Sequence, residues 1–112
     1  MTDPGTNDTL HVHVAPDGAI VASGDIDVAG GPILDAVIME QEQSLDGSAA
    51  IVIDLTDVTF IDSSGLRSLL GASRRADERS GQVVLRSPSP AVQRLLEITG
   101  TTTQFRVDEA TA

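Results

Sequence analysis

Three polar residues stand together, Asp62-Ser63-Ser64, inside the stretch VTFIDSSGL that runs from Val58 to Leu66. A hydroxyl beside a carboxylate can act as a nucleophile, cap a helix, or accept a group added by another protein. Nucleophilic catalysis needs a base to take the hydroxyl proton, and the chain holds only two histidines, His11 and His13. Nothing in the spacing ties a carboxylate to either of them. The motif DSSG also lacks the Gly-x-Ser-x-Gly pattern of a strained nucleophile elbow. A serine hydrolase is therefore not the expected activity, and no catalytic residue is assigned.

Other chemistries are no better supported. His11 and His13, two positions apart, could share an ion, but two ligands do not make a site and no third is indicated. Gly30-Gly31 matches neither the phosphate-loop nor the dinucleotide fingerprint. Acid–base work by Asp25, Asp27, Asp54 or Asp62 is open to those residue types and has no positive sign. No metal and no cofactor are expected. For Asp62 the simplest role is an N-cap, its carboxylate accepting free N–H groups of a first helical turn. Ser63 and Ser64 either tolerate that turn or are modified there. Gly65, a poor helix former, implies that bulk is unwelcome nearby because something must approach.

These residues need elements to position them. LHVHVA alternates, with Leu10, Val12 and Val14 on one face and the histidines on the other, as a strand does. Pro16-Asp17-Gly18 is turn chemistry, and AIVASG completes a hairpin. DIDVAGGP then reads as a glycine-rich, mobile loop before a helix over ILDAVIMEQEQ. There Ile33, Leu34, Val37, Ile38 and Met39 form one apolar stripe opposite Asp35, Glu40 and Glu42, with Pro32 in the first turn. LDGSA is a turn, and the near-continuous apolar run AIVIDL predicts a strand buried on both faces.

A second helix is expected from Ser63 to about Arg79, with Leu66, Leu69, Leu70 and Ala76 inward and Arg67, Gly71, Arg74, Arg75 and Glu78 outward. QVVLRS is a further strand, and SPAVQRLLEITG a third helix capped by Ser89 and closed by Gly100. TQFRV is a last strand. The order β-β-α-β-α-β-α-β implies an α/β fold with a mixed, partly parallel sheet and helices packed on it. The expected layout is a flexible lead-in at residues 1–8, one domain at 9–108 and a tail at 109–112.

Composition narrows the partners. The chain has 112 residues, no cysteine and a formal net charge of −10. From Met1 to Leu66 there are twelve Asp and Glu and not one Lys or Arg; all seven arginines lie from Arg67 onward. Such a domain is repelled by nucleic-acid phosphates and anionic lipid, and suits a protein partner with a basic docking face. The absence of disulfide chemistry, of a signal peptide and of any apolar run near the roughly 20 residues of a membrane span makes a cytoplasmic location the default expectation.

VIDLTDVTFIDSSGL resembles the signature of the STAS domain family, specifically the bacterial anti-sigma factor antagonists. GDID at Gly24–Asp27 is similar to the family's Gly-Glu-Leu-Asp after the second strand, and SPAVQRLLEITG to its segment before the last strand. The three motifs, in order and in register, cover roughly residues 10–107. The resemblance implies the STAS fold and a partner switch without catalysis by the domain itself. In it, the unmodified antagonist binds an anti-sigma factor that is also a serine kinase and so frees a sigma factor. Phosphorylation reverses this, and a PP2C-type phosphatase resets it.

Carried over residue by residue, Ser63 is the phosphoacceptor, with Ser64 the less expected one. The expected partner surface is Asp27, Asp62, Ser63, Ser64, Gly65 and Arg67; Arg67 follows Leu66 on the outward face, where it pairs with a phosphate or an acidic patch on the partner, or is an ordinary solvated arginine. The family usually continues into a C-terminal helix, for which VDEATA leaves about one turn. Two other roles fit the same motif: an accessory or scaffold subunit of a transporter or stress-signalling complex, with DSSG a docking contact, and a nucleotide-binding STAS domain.

Overall fold

The structure is a computed structural model that describes residues 9–44 and 49–108. The polar lead-in at 1–8, most of the LDGSA turn and the tail at 109–112 lie outside the described residues. Five strands and three helices follow in the expected order: β1 (Leu10–Val14), β2 (Ile20–Ile26), α1 (Gly30–Gln43), β3 (Ile51–Ile61), α2 (Ser63–Glu78), β4 (Val83–Arg86), α3 (Pro90–Thr99) and β5 (Arg106–Asp108). One sheet has the strand order β1-β2-β3-β4-β5. β1 pairs antiparallel with β2, and every later pair is parallel.

Each parallel step is bridged by one helix, and all three steps move the same way across the sheet. A right-handed crossover then places α1, α2 and α3 on one face. Packing agrees. Leu34 and Ile38 of α1, Leu66, Leu69, Ala72 and Ala76 of α2, and Val92 and Leu96 of α3 join Leu10, Val12, Ile20, Ile53, Leu55 and Leu85 in one core cluster. Positions between these point the other way, and His11 and His13 are exposed there.

Four expectations need correction. β3 is buried only toward the helices, and Val52 and Asp54 on its other face are half-buried, because no helix covers that side. β2 and β3 both run further than their apolar cores, through Ile26 and Ile61, with register irregularities between Val21 and Ser23 and between Gly24 and Asp25. Backbone pairing carries the strands on after the hydrophobic pattern has broken, a signal that periodicity does not contain. The glycine-rich segment is no loop: α1 already starts at Gly30. At the other end, Thr102–Gln104 is a short 3-10 turn, so the last strand begins at Arg106 rather than within TQFRV.

Two further helix positions differ from the sequence reading. Met39 is 45% exposed and lies off the core stripe of α1. Arg75 is half-buried, because its Nε donates to both carboxylate oxygens of Glu42 at 2.9 and 3.1 Å and ties α2 to α1. The ends of α3 are as expected: Ser89 Oγ accepts Val92 N–H at 3.4 Å, Pro90 takes the first helical position, and Gly100 closes the helix with φ +69°.

Candidate functional site

The register of the two central parallel strands builds the site. Ile26 pairs with Ile61, so Asp27 and Asp62 each follow a matched strand end, and Asp62 N–H donates to the carbonyl of Ile26 at 3.3 Å. Neighbouring strands lie about 5 Å apart. Asp62 is the N-cap of α2, while Asp27 holds the turn that leads into α1, whose N-cap position is Ala29. Asp62 has extended backbone, and its Oδ1 accepts Ser64 N–H at 2.9 Å and Gly65 N–H at 3.2 Å. Asp27 Oδ1 accepts Ala29 N–H at 3.1 Å and Gly30 N–H at 2.9 Å, while its carbonyl accepts Gly31 N–H at 2.8 Å. Asp27 thereby makes a helix start out of a glycine-rich sequence. Beside them Thr59 Oγ1 donates to Asp25 Oδ1 at 2.8 Å, a further cross-strand tie.

The hydroxyls separate by environment. Ser63, the first residue of α2, is exposed, and its side chain makes no hydrogen bond among the described residues. Ser64 is half-buried and lines a cleft of about 270 Å³ between the starts of α1 and α2, together with Val28, Pro32, Asp35 and Arg67. Ser68 is buried one turn below, and its hydroxyl donates to the carbonyl of Gly31 at 3.2 Å, fastening the two helix starts together. Arg67 is exposed at the same cleft and has no ion pair among the described residues. Of the residues singled out in the sequence, Asp27, Asp62, Ser63 and Ser64 therefore gather at one end of the sheet, with Arg67 one turn further along α2.

Gly65 belongs to the interior of this corner. It is buried, and a Cβ added there would lie 2.5 Å from the carbonyl oxygen of Ile26 and 2.8 Å from Cγ1 of Ile61. The bulk it excludes is excluded by the ends of β2 and β3, which lets α2 start flush against the sheet. His11 and His13 sit on the open face of the edge strand β1, and no hydrogen bond joins them to the serines. Among the described residues no group of three His, Asp or Glu is arranged to hold a metal ion.

Sequence reasoning missed the apolar surroundings. Val28 is 72% exposed at the cleft. Where the end of β3 meets α3, Phe60, 48% exposed, lines a groove of about 390 Å³ with Ile61, Pro90, Arg94, Leu95 and Ile98. Apolar side chains left in water beside a polar corner are common at protein-binding surfaces. The residues were visible in the sequence, but their exposure follows from how β3 and α3 meet. No described helix is long and apolar enough to cross a membrane.

Known proteins share this architecture. The chain is 29% identical over 92 residues to the anti-sigma-B factor antagonist of Staphylococcus aureus, covering 82% of this chain and 83% of that one. The crystal structure of an anti-sigma factor antagonist from Mycobacterium paratuberculosis superposes with a TM-score of 0.73 at 27% identity, over 96% of this chain and 90% of the other. At 22% identity the fold alone is also shared with SpoIIAA. Its unphosphorylated form gives a TM-score of 0.69 over 91% of this chain and 88% of that one. The phosphorylated form from Bacillus gives 0.65 over 91% of each. Residues 13–112 match the family model of the STAS domain. With that match, the strand order and the capped corner in view, the chain belongs to the STAS domain family.

Proposed function

We propose that this protein is an anti-sigma factor antagonist working by partner switching, with Ser63 as the switch. The unmodified corner of Asp27, Asp62, Ser63, Ser64 and Arg67, seated on Gly65, docks an anti-sigma factor that is also a serine kinase, and the sigma factor is released. The kinase moves the γ-phosphoryl group of ATP to Ser63 Oγ: the new O–P bond forms, the bridging P–O bond to ADP breaks, and the hydroxyl proton leaves to a base on the kinase. A PP2C-type phosphatase hydrolyses the ester and restores the hydroxyl. The protein supplies the acceptor and no catalytic group.

The exposure of Ser63 is the observation that carries this reading. Ser68 and Ser73 on the same helix are buried and hydrogen-bonded, whereas Ser63 is exposed in the first turn of α2, where another protein's active site can reach it. Esterification adds about −1.5 to −2 charges next to Asp62 and near Asp27. Two unit charges about 5 Å apart repel by roughly 3 kcal/mol at an effective dielectric near 20, less where water screens them. Desolvating that cluster under a partner adds to the cost. Release therefore comes from surface repulsion and bulk, with the sheet and helices unchanged. The acidic charge of the domain favours a partner with a basic face, and the exposed Val28 and Phe60 give that partner apolar contact.

Intact-mass analysis after incubation with ATP and the candidate anti-sigma kinases of the source organism tests the proposal. One phosphate is expected on the wild-type chain and on Ser64→Ala, and none on Ser63→Ala. Binding measured by calorimetry should survive Ser63→Ala and weaken in Ser63→Asp. Equal incorporation into Ser63→Ala would sink the assignment.

A further inference from the structure

A phosphate on Ser63 needs a counter-charge, and the start of the helix supplies less of one than its position implies. The N–H groups of Ser64 and Gly65 already donate to Asp62 Oδ1, so the first turn is occupied by a carboxylate. Asp62 and Asp27 both bring carboxyl groups to this corner. Across the cleft from Ser64 stands Asp35, a further carboxylate. Every ionisable group that the strand ends and α1 bring here is acidic. The exception comes from α2 itself.

Arg67 is four residues after Ser63, and side chains four apart on a helix are neighbours on one face. Both are exposed, and Arg67 has no ion pair among the described residues although Asp35 lines the same cleft. It is also the first basic residue in the chain, after twelve acids. A guanidinium offers a planar fork of donors that matches phosphate oxygens.

We propose that Arg67 is the phosphate-receiving residue: once Ser63 is esterified, its guanidinium swings from the mouth of the α1–α2 cleft onto the phosphoryl oxygens. This deepens the reading above and rests on Ser63 being the acceptor. In the free-hydroxyl form Arg67 is a loose cation, open to a carboxylate of the docking partner. In the esterified form it is engaged within its own helix. Modification thus does two things to the surface together, adding an anion and withdrawing a cation.

The test uses the full chain with phosphoserine installed at position 63 during translation, so that no kinase is involved. The second ionisation of the phosphate is followed by its phosphorus resonance as pH is varied. With Arg67 present its pKa should lie below that of Arg67→Gln by about 0.3 of a pH unit, a twofold change in the dissociation constant. That shift is the size expected from an exposed ion pair one helical turn apart, and it should shrink with added salt. Arg94→Gln, which removes the cation of the neighbouring groove, should leave the value unchanged, and Arg67→Lys should keep most of the shift. The Arg67 Nε–H resonance should also move between the serine and phosphoserine proteins. Equal phosphate pKa values with and without Arg67, or a shift traced to Arg94, overturns the proposal. Failure of any kinase to modify Ser63 would instead sink the preceding section and leave the measured pair as it stands.

Discussion

Asp27 and Asp62 are structural counterparts: each follows a strand end in the matched pair Ile26 and Ile61, and each uses one oxygen, Oδ1, to hold two backbone N–H groups where the chain turns from strand to helix. The corner bearing Ser63 is therefore made twice, on adjacent strands, and its two carboxylates are fixed by the same bonds that start α1 and α2. Structural and electrostatic roles are joined in these side chains and can be separated by substitution.

Asp62→Ala removes the cap and should lower the stability of the domain by about 1 kcal/mol, the usual cost of losing an N-cap side chain. Asp62→Asn keeps a capping oxygen without the charge and should cost less. Urea melts followed by far-ultraviolet circular dichroism measure both, which suits a chain without Trp or Tyr. If charge crowding drives release, Ser63→Asp should weaken partner binding less in the Asp62→Asn background than in the wild type.

Gly65→Ala places a methyl group against Ile26 and Ile61, which belong to the ends of the two central strands. The Ile26 carbonyl cannot retreat without disturbing the end of β2, so overpacking should cost about 1–3 kcal/mol. A lower urea midpoint at an unchanged slope is the expected result. Wild-type stability for Gly65→Ala would mean that α2 does not start flush with β2.

Arg75 and Glu42 tie α2 to α1 at the end away from Ser63, with 29% and 13% of their side chains exposed. Arg75→Gln leaves the Glu42 carboxylate partly buried without its charged donor, and should cost about 1–3 kcal/mol. Because this pair is remote from Ser63, the proposed phosphoacceptor, phosphate incorporation should be unaltered in the folded variant. Intact mass after kinase treatment checks the second half, and a thermal melt the first.

Asp17 gives a sign-specific acid test. Its carboxyl sits below the ordinary value of 3.8, first because it accepts the N–H of Ala19 in the hairpin turn and also because the Arg86 guanidinium lies beside it; partial desolvation opposes both. A lowered folded pKa means that the contribution is fully present above 3.8 and is lost as pH falls through the lower folded value. Asp17→Asn should therefore reduce stability near neutrality and narrow its gap to the wild type at the acid end. Urea midpoints at pH 7 and in the acid range would check this, and a gap that widened on acidification would contradict the sign.

The order of elements, the three helices and the capped start of α2 at Asp62 were legible from the chain alone. Those signals are local: alternation in LHVHV, the stripes of α2 and α3, the cap residues Asp62 and Ser89, and Gly100 at a helix end each act within a few residues of chain. The side of Gly65 was less legible, since its small size shows that something is close without saying whether it is a ligand or the protein's own Ile26. Strand lengths were missed for a related reason: β2 and β3 continue through GDI and VTFI because each completes the other's backbone hydrogen bonds, which a single segment does not record.

Only the tertiary structure decided that Ile26 and Ile61 are in register and so bring Asp27 to Asp62 across 35 residues of chain. It alone seated Arg75 on Glu42, and it exposed Val28 at the α1–α2 cleft and Phe60 at the groove beside α3 while leaving one face of the sheet without helices. The physical reason is one throughout. Helix caps and periodic stripes are satisfied by neighbours in sequence, whereas strand register, helix-to-helix ion pairs and residual exposure depend on which distant segments share the same hydrogen bonds and the same buried surface.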